Sequence, residues 1–361
     1  MQIGIIGITK SGKTTVFNAL IRSATAQGAG QVNIGVAKVV DPRLDKLTSM
    51  FKPKREVYAE VRYVDIPGAP EGLGKSQGIG GEYLNALQRT DALLHVVRAF
   101  NDPTVPHING SIDPYRDTVA MDMELAFSDL AIIERRFKRL EAEMKASKPQ
   151  DRERAKKETA LLERLRDGLT DDIPIRQQEI SAEDQKTISN YQFLTAKPLF
   201  IIFNIGEDQL ADAAKLEEEM AKRLGKPKVL VAAMCCKLEA ELAQMPPDDE
   251  KEFRSSLGVG ESAAGRIVRM SYELIGLLSF FTVGDDECRA WTIPLDTPAL
   301  KAAGQIHSDI ERGFIRAEVV GYDDFLKAGS LPDSRKQGLL RLEGKTYIVR
   351  DGDIINFLFN V

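Results

Sequence analysis

The sequence contains little cysteine. Only three cysteines occur in 361 residues, at Cys235, Cys236 and Cys288. They are too few for a disulfide framework, and no pair has the CxxC spacing of a metal or redox motif. This usage is typical of a reducing compartment, and we expect a cytoplasmic protein.

Long apolar runs and an excess of basic charge are also missing. No apolar run reaches 18 residues, which argues against a membrane span, and the run at the N-terminus is too short for a signal peptide. The chain has 49 basic and 54 acidic residues, a formal net charge of −5. A surface that attracts nucleic acid would therefore have to be local.

The composition is that of an ordinary soluble protein, with 43% hydrophobic and 29% charged residues. A chain of this length predicts two or three domains. Short apolar runs alternate with loops and helical patterns, which predicts an α/β fold: a mainly parallel sheet with helices on both faces. These runs are Gln2–Ile6, Glu60–Asp65, Ala92–Val97, Pro198–Asn204 and Lys228–Ala233, and Ala37–Val40 would add an edge strand.

A helical pattern replaces this alternation between about Met121 and Ile180. Apolar residues follow the 3, 4 spacing of a coiled-coil seam, break at the polar stretch Ser147–Arg152, and then resume. The seam residues are Leu130, Ile133, Phe137, Leu140 and Met144, then Leu162, Leu165 and Leu169. Two such helices joined by a short turn predict an inserted helical coiled-coil hairpin.

The predicted hairpin is locally basic. Residues 135–166 contain 12 basic and 6 acidic side chains, within a chain whose net charge is negative. Two interpretations remain open from the charge alone: a solvated helical surface, or a basic arm that contacts a phosphate backbone.

After about Phe281 the segments become short and β-like, separated by Gly and Asp turns, which predicts a small α+β domain. The expected organisation is a nucleotide-binding domain over residues 1–120 and 196–280, the hairpin over 121–195, and a C-terminal domain over 281–361.

A phosphate-binding loop is the clearest motif. Residues 7–14, GITKSGKT, match G-x-x-x-x-G-K-[ST] between a strand and a helix. Backbone N–H groups of the loop would surround the phosphates, Lys13 would reach the β/γ oxygens, and the Thr14 hydroxyl would bind Mg²⁺. The candidate nucleotide-binding residues here are Thr9, Lys10, Ser11, Gly12, Lys13, Thr14 and Thr15.

Two further motifs follow later strands. Asp65 and Gly68 form a DxxG sequence, in which Asp65 would hold Mg²⁺ through water and the Gly68 N–H would sense the γ-phosphate. Asn204-Ile205-Gly206-Glu207 occupies the place of the N-K-x-D sequence that reads guanine. The longer Glu207 would move its carboxylate off the guanine edge, so guanine selection should weaken. An incidental strand-end turn is the alternative.

These motifs and several longer strings resemble the YchF/Obg-like ATPase family nearly end to end. The strings include FNAL (residues 17–20), NIGV (33–36), DPRLD (41–45), HVVR (95–98), LEAEL (238–242), RAWTIP (289–294) and EGKTYIVRDGDIINFLFNV (343–361). The resemblance implies a P-loop domain, an inserted hairpin and a C-terminal TGS-like β-grasp domain. It also implies ATP preference through Asn204 and Glu207, and ribosome or ribosomal RNA binding in translation or stress response.

The sequence departs from the family pattern around the phosphates. Lys10 replaces the P-loop asparagine that helps hold K⁺ in potassium-stimulated relatives, so the expected cofactors are Mg²⁺ and either K⁺ or the tethered ammonium of Lys10. The stretch before Asn33 is shortened and has no counterpart of the switch threonine. Ala69 follows Gly68, so no glutamine is available there to orient water.

The resemblance suggests other candidates for catalysis and base contact. His107 aligns with a mobile loop whose histidine would position the attacking water, and the alternative is a loop histidine without a role. His95 lies in an apolar strand and is interpreted as a core histidine. Cys235 and Cys236 fall where the last base-contacting loop should run, with a tight turn lined by small residues as the alternative.

The first functional hypothesis is therefore a ribosome-associated P-loop ATPase of low intrinsic activity. Its catalytic candidates are Lys13, His107 and Gly68. A GTP-specific Obg-like GTPase and a nucleotide-binding module with little turnover are the alternatives.

Overall fold

The computed structural model describes residues 1–22, 32–66, 79, 81–146 and 149–360. The chain divides into two compact units, one formed by Met1–Val36 with Arg62–Ile267, the other by Ala37–Val61 with Val268–Val361.

Within the described residues the strands are β1 (Gln2–Ile6), β2 (Asn33–Val39), β3 (Arg55–Val57), β4 (Ala59–Asp65), β5 (Ala92–Arg98), β6 (Leu199–Asn204), β7 (Val229–Met234), β8 (Leu277–Thr282), β9 (Glu287–Pro294), β10 (Phe314–Gly321), β11 (Arg341–Glu343) and β12 (Asp353–Phe359). The α-helices are α1 (Lys13–Ile21), α2 (Pro42–Phe51), α3 (Gly81–Gln88), α4 (Pro114–Ala146), α5 (Pro149–Thr170), α6 (Ala182–Ile188), α7 (Ala213–Leu224), α8 (Cys236–Leu242), α9 (Pro247–Ser256), α10 (Ala263–Leu274), α11 (Ala299–Ile306), α12 (Ser308–Arg312), α13 (Tyr322–Ala328) and α14 (Leu331–Lys336).

The first sheet has the strand order β2-β4-β1-β5-β6-β7. β1 runs parallel to β4 and β5, and β5, β6 and β7 continue in parallel. Every residue of β5 and β6 is buried, as expected when helices cover both faces of a parallel sheet. The predicted α/β fold with a mainly parallel sheet is confirmed, and β2 lies at its edge as expected.

The inserted helices form the predicted hairpin. Helices α4 and α5 contain 33 and 22 residues and pack on each other through buried apolar side chains that include Ile133, Leu140, Leu162 and Leu165. Helix α4 begins at Pro114, seven residues before the Met121 that the apolar pattern indicated. Proline is favoured at the first position of a helix, where its missing N–H is not needed.

The chain returns from the hairpin to the sheet over a buried carboxylate. Asp129 of α4 accepts hydrogen bonds from the backbone N–H groups of Leu194 (2.9 Å) and Thr195 (2.7 Å), and from the Thr195 hydroxyl (2.7 Å). Burial raises the pKa of Asp129 to about 6, although these hydrogen bonds act to lower it. This contact fixes the segment that leads into β6.

The second sheet is mixed, with the order β11-β10-β12-β8-β9-β3. β10 pairs antiparallel with β11 and β12, and β8 pairs antiparallel with β9, whereas β12 and β8 are parallel. Helix α11 packs on this sheet through Ala299, Ala302 and Ala303, against a core that contains Phe280 and Phe357. The predicted small C-terminal α+β unit is therefore present.

The unit boundaries differ from those expected. Residues 37–61 belong to the second unit, although the sequence placed them in the nucleotide-binding domain, and β8 begins at Leu277 rather than after residue 280. The cause is a long-range pairing: Arg55–Val57 runs parallel to Glu287–Arg289 of β9. Arg43 of α2 also forms an ion pair with Asp351 at 2.6 Å. Local sequence patterns do not report contacts between such distant segments.

None of the helices in the described residues is long and apolar enough to cross a membrane.

His95 of β5 is a core residue, as interpreted from the sequence, with 2% of its surface exposed. Burial lowers its pKa to about 3, and the positive charges of Lys13 and Arg176 act in the same direction. The folded protein therefore keeps this imidazole neutral over the whole range in which an unfolded histidine gains its proton.

We expect His95 to make the protein less stable in mild acid. As the pH falls from 6.5 towards 3, the unfolded chain binds a proton that the native state does not, so the free energy of unfolding should fall by up to about 1.4 kcal/mol per pH unit. Urea unfolding between pH 7 and pH 4 measures this slope. His95→Leu should be less pH-dependent than the unmodified protein by that amount, and identical slopes would contradict the assignment.

Candidate functional site

The loop between β1 and α1 requires glycine at two positions. Gly7 and Gly12 have φ values of 152° and 98°. A Cβ atom at Gly7 would lie 2.5 Å from the carbonyl oxygen of Val96, and one at Gly12 would lie 2.3 Å from Nδ2 of Asn204. The two glycines thus allow the loop to pass close to β5 and β6, with its backbone leading into the N-terminus of α1.

Lys13 folds back over this loop. Its Nζ donates hydrogen bonds to the carbonyl oxygens of Gly7 (2.9 Å) and Ile8 (3.1 Å). Burial lowers the pKa of Lys13, while the negative charge of Asp65 acts to raise it. A partly desolvated ammonium at a helix N-terminus is a site for a polyanion, and the two carbonyls hold it there.

Lys10 lies at the tip of the same loop in the left-handed region, with φ 64°. Its side chain is exposed and makes no hydrogen bond or ion pair to any residue that the structure describes. The ammonium is therefore free to reach a ligand bound at the loop.

Thr14 and Asp65 bring two oxygen donors together beside Lys13. The Thr14 hydroxyl donates a hydrogen bond to Oδ2 of Asp65 at 3.1 Å, and Asp65 is 5% exposed at the end of β4. Burial raises the pKa of Asp65, whereas the hydrogen bond from Thr14 and the charge of Lys13 lower it.

This donor set fits Mg²⁺, which takes one or two protein oxygens and keeps its other positions for phosphate and water. Among the described residues, no group of three or more His, Cys, Asp or Glu side chains could hold a metal by itself. Thr14 and Asp65 would therefore hold the ion jointly with the nucleotide.

Asn204 joins three segments of the site. Its Nδ2 donates to the carbonyl oxygen of Ser11 at 2.9 Å, and its Oδ1 accepts from the backbone N–H of Cys236 at 3.3 Å. The structure thus brings the phosphate loop, the end of β6 and the start of α8 together. Asn204 itself is 5% exposed.

The other residues near Asn204 differ in exposure. Glu207 is exposed at the start of the 3₁₀ helix Glu207–Asp212, whereas Ile205 is buried in the core of the first unit. Cys235 and Cys236 are both buried, and burial raises the pKa of each thiol. These cysteines therefore present backbone, rather than thiolate, at the start of α8.

His107 lies in a separate environment, in the loop before α4. Its Nε2 is 2.9 Å from Oδ2 of Asp117, and both side chains are at most 4% exposed. Its Nδ1 accepts a hydrogen bond from the backbone N–H of Asn109 at 3.1 Å. Neither Nε2 of His107 nor Oδ2 of Asp117 makes a hydrogen bond within the described residues, so the pair is close but poorly aligned. Within the described residues, no contact joins His107 to the phosphate loop.

Gly68, Ala69 and the shortened stretch before Asn33, except Val32, lie outside the described residues. Asp117 was not identified from the sequence. Its place in the first turn of α4, close to Arg116, is the only signal that could have pointed to it. Glu239 lies inside the LEAEL string, but the sequence analysis did not identify its hydrogen-bond partners.

The fold and this site define the chain as a P-loop nucleoside-triphosphate-binding protein with a separate C-terminal unit. A family described as 50S ribosome-binding GTPase matches residues 2–126, and the YchF-GTPase C-terminal family, described as a protein of unknown function, matches residues 277–360. The chain belongs to the YchF family.

Its relatives match over the full length. The Ribosome-binding ATPase YchF of Bacillus subtilis (strain 168) is 38% identical over 373 residues, which is 100% of both chains. The protein of the same name from Escherichia coli O157:H7 is 37% identical, over 100% of this chain and 99% of the relative.

Two solved structures share the fold. The Schizosaccharomyces pombe YchF GTPase has a TM-score of 0.86 at 28% identity, and the match covers 99% of this chain and 97% of that one. A GTP binding protein from Pyrococcus horikoshii OT3 has a TM-score of 0.61 at 16% identity, with 100% of each chain covered, which concerns the fold alone.

Proposed function

We propose that this protein is a Mg²⁺-dependent ATPase of low intrinsic activity that binds ribosomes and changes state with its nucleotide. The observation that carries the proposal is the cluster in which Lys13, Thr14 and Asp65 meet and Asn204 ties the loop to α8. Relatives named Ribosome-binding ATPase YchF, 35–38% identical over the full length, support the reaction and the partner.

In this proposal the backbone of Thr9, Lys10, Ser11 and Gly12 surrounds the phosphates. The first turn of α1, up to Thr15, completes the phosphate-binding site. Lys13 exchanges its two carbonyl partners for β/γ-phosphate oxygens, which neutralises charge as the terminal bond breaks. Thr14 and Asp65 hold Mg²⁺, which supplies further charge neutralisation when bound. Gly68 senses the γ-phosphate in this scheme, on the strength of the DxxG motif alone.

Adenine is the proposed base. Reading guanine requires a carboxylate at the distance of Asp and a lysine stem over the ring, whereas this chain has Glu207 and the buried Ile205. The backbone at Cys235 and Cys236 borders the same place, because Cys236 N–H is tied to Asn204. GTP remains the alternative nucleotide.

His107 is proposed to position the attacking water. To do so its Nε2 must leave Asp117, with which it forms no aligned hydrogen bond, and its Nδ1 must release the Asn109 N–H. Catalytic contacts are often formed only once the substrate is bound. The conformation described here is then the resting one.

This chain also departs from the family pattern at the position that would hold a monovalent cation. Lys10 stands where relatives carry asparagine, and its free ammonium resembles K⁺ in charge and size. We propose that Lys10 takes the place of K⁺ near the phosphates, with K⁺ binding as the alternative.

The hairpin is proposed as the ribosomal contact. A groove of about 1140 Å³ runs between α4, α5 and α6. Arg136 in its wall is already committed: it pairs with Glu143 (2.8 Å) and Glu158 (2.7 Å) and donates to the Tyr191 hydroxyl (3.1 Å). These contacts hold the two helices together rather than presenting charge to a partner.

Several other cations line the groove without such partners. Three of them, Arg139, Lys157 and Lys186, are exposed and form no ion pair in the described part of the chain. Charges spaced along a groove and left unpaired suit a phosphate backbone, because binding there releases counterions without first breaking an internal ion pair. The partner class is therefore ribosomal RNA.

Binding to ribosomes would place the protein in the cytoplasm, in keeping with three buried cysteines that are all free. We also propose that the second unit is a TGS-like β-grasp domain, which its mixed sheet and the packing of α11 support.

The nucleotide preference gives the first test. ATP should bind at least tenfold more tightly than GTP, a difference of about 1.4 kcal/mol, because Glu207 displaces the guanine-reading carboxylate. Isothermal titration with each nucleotide and Mg²⁺ measures it. Glu207→Asp should recover only part of the guanine affinity because Ile205 still lacks the lysine stem. Equal affinities would favour the GTPase alternative.

His107→Ala should lower kcat about 10²-fold and leave the Kd for ATP nearly unchanged, since the side chain acts on water rather than on the nucleotide. Single-turnover hydrolysis beside ATP titration separates the two effects. His307→Ala is a matched control, because its Nδ1 also accepts the backbone N–H two residues on. An unchanged kcat would remove His107 from the mechanism. If the unmodified protein binds ATP without hydrolysing it, the alternative of a nucleotide-binding module with little turnover is supported.

The role of Lys10 is tested by the buffer cation. Hydrolysis by the unmodified protein should be equal in Na⁺ and K⁺, because the tethered ammonium supplies the charge. Lys10→Asn should lower activity in Na⁺ and create K⁺ stimulation. The left-handed φ at this position suits asparagine, so the loop should be retained. Strong K⁺ stimulation of the unmodified protein would show that the ion still binds.

Reversing the groove charges tests the ribosomal contact. The triple variant Arg139→Glu, Lys157→Glu, Lys186→Glu should co-sediment less with ribosomes at low salt and show a shallower salt dependence. Lys138→Glu, Lys145→Glu, Lys156→Glu changes the charge equally on exposed positions outside the groove and should bind nearly normally. Equal effects of the two triples would mean a diffuse basic surface, and ATP hydrolysis by the free protein should survive both.

A further inference from the structure

Glu239 is a buried carboxylate that the proposed reaction does not use. It lies one helical turn after the Cys235–Cys236 loop, on α8, and its side chain is 7% exposed. Arg254 donates to both of its oxygens, at 2.9 and 2.8 Å. The Ser262 hydroxyl (2.9 Å) and the Ala263 N–H (3.1 Å) donate to it as well.

These contacts keep Glu239 charged. Burial acts to raise its pKa, but the hydrogen bonds and charge of Arg254, with the hydrogen bonds of Ser262 and Ala263, hold the pKa below its ordinary value. A bidentate pair of this kind fixes the orientation of both side chains as well as their separation. Glu239 therefore anchors α8 at once to α9 and to the N-terminus of α10.

The anchor continues to the end of the phosphate-loop helix. Nε of Arg254 donates to Glu250 at 3.0 Å, and Glu250 in turn accepts a hydrogen bond from Arg22. Arg22 directly follows the last residue of α1 and caps its C-terminus. One end of α1 is thus tied to α8 through Arg254 and Glu250.

The other end of α1 is tied to α8 through the nucleotide site. The Ser11 carbonyl, just before α1, accepts from Asn204, and Asn204 accepts from Cys236 N–H at the start of α8. Together the two routes form a closed ring of polar contacts with the Cys235–Cys236 loop on it. A shift of α8 would move that loop, and sites of this kind tolerate displacements of only about 0.5 Å.

We propose that Glu239 and Arg254 are positioning residues for the base of the nucleotide. They do not touch the ligand; they fix the start of α8, and through it the backbone at Cys235 and Cys236 that selects and holds adenine. This inference rests on the base site of the proposed function.

The test is Glu239→Gln, which keeps the shape of the side chain and removes its charge. The Kd for ATP should rise about tenfold and the ratio of GTP to ATP affinity should move towards one, while kcat at saturating ATP changes less than about twofold. Arg254→Lys keeps the positive charge but loses the bidentate fork, so it should raise the Kd by an intermediate amount.

Glu158→Gln is the matched control, because Glu158 pairs with Arg136 in the hairpin and has no link to the base loop. Thermal unfolding of each variant reports the structural cost separately from nucleotide affinity. If Glu239→Gln and Arg254→Lys both bind ATP and GTP like the unmodified protein, the pair is only structural and the inference fails. If the unmodified protein itself fails to bind ATP, the proposed function fails first.

Discussion

The nucleotide site depends on the side chain of one asparagine. Asn204 uses both ends of its amide, the nitrogen on the Ser11 carbonyl and the oxygen on the Cys236 N–H, so that three separate segments share one position. Because Asn204 is buried, either bond left unmade would leave a desolvated polar group, and this cost keeps the segments together. The same contact explains why residue 12 is glycine, because a Cβ atom there would collide with the side-chain nitrogen of Asn204. This bridge joins the phosphate loop to the start of α8 through hydrogen bonds of a single side chain.

The buried charged side chains of the first unit fall into two kinds, which differ in how well neighbouring groups replace their lost hydration. Lys13 at the start of α1 and Asp65 at the end of β4 are desolvated, and burial lowers the pKa of the ammonium and raises that of the carboxyl. The buried ammonium is stabilised when a polyanion binds beside it, and the buried carboxylate is stabilised when a cation does, because each ligand replaces the lost hydration. Glu239 is the opposite case, because Arg254 and the start of α10 satisfy it completely. The first pair is prepared for a ligand, and the second holds the frame around it.

The hairpin shows the same division on its surface. The net basic charge of residues 135–166 does not distinguish cations that hold the helices together from cations that form no ion pair. The structure separates them: Arg136 is committed to two carboxylates and a tyrosine, whereas Arg139 and Lys157 are unpaired in the described chain. Only the unpaired cations can contribute to phosphate binding without first breaking an existing contact.

The sequence by itself determined the features that depend on neighbouring residues. The phosphate loop, the parallel-strand pattern, the hairpin seam and the core histidine all follow from local spacing and hydrophobic period. The sequence also indicated part of the candidate site, because parallel strands bring the residues that follow them to one edge of the sheet. Tertiary structure decided what depends on distant segments: the pairing of Arg55–Val57 with β9, the contact of His107 with Asp117, and the anchoring of Glu239 by Arg254. Hydrogen bonds and ion pairs act over about 3 Å, and only the folded chain decides which distant side chains come that close.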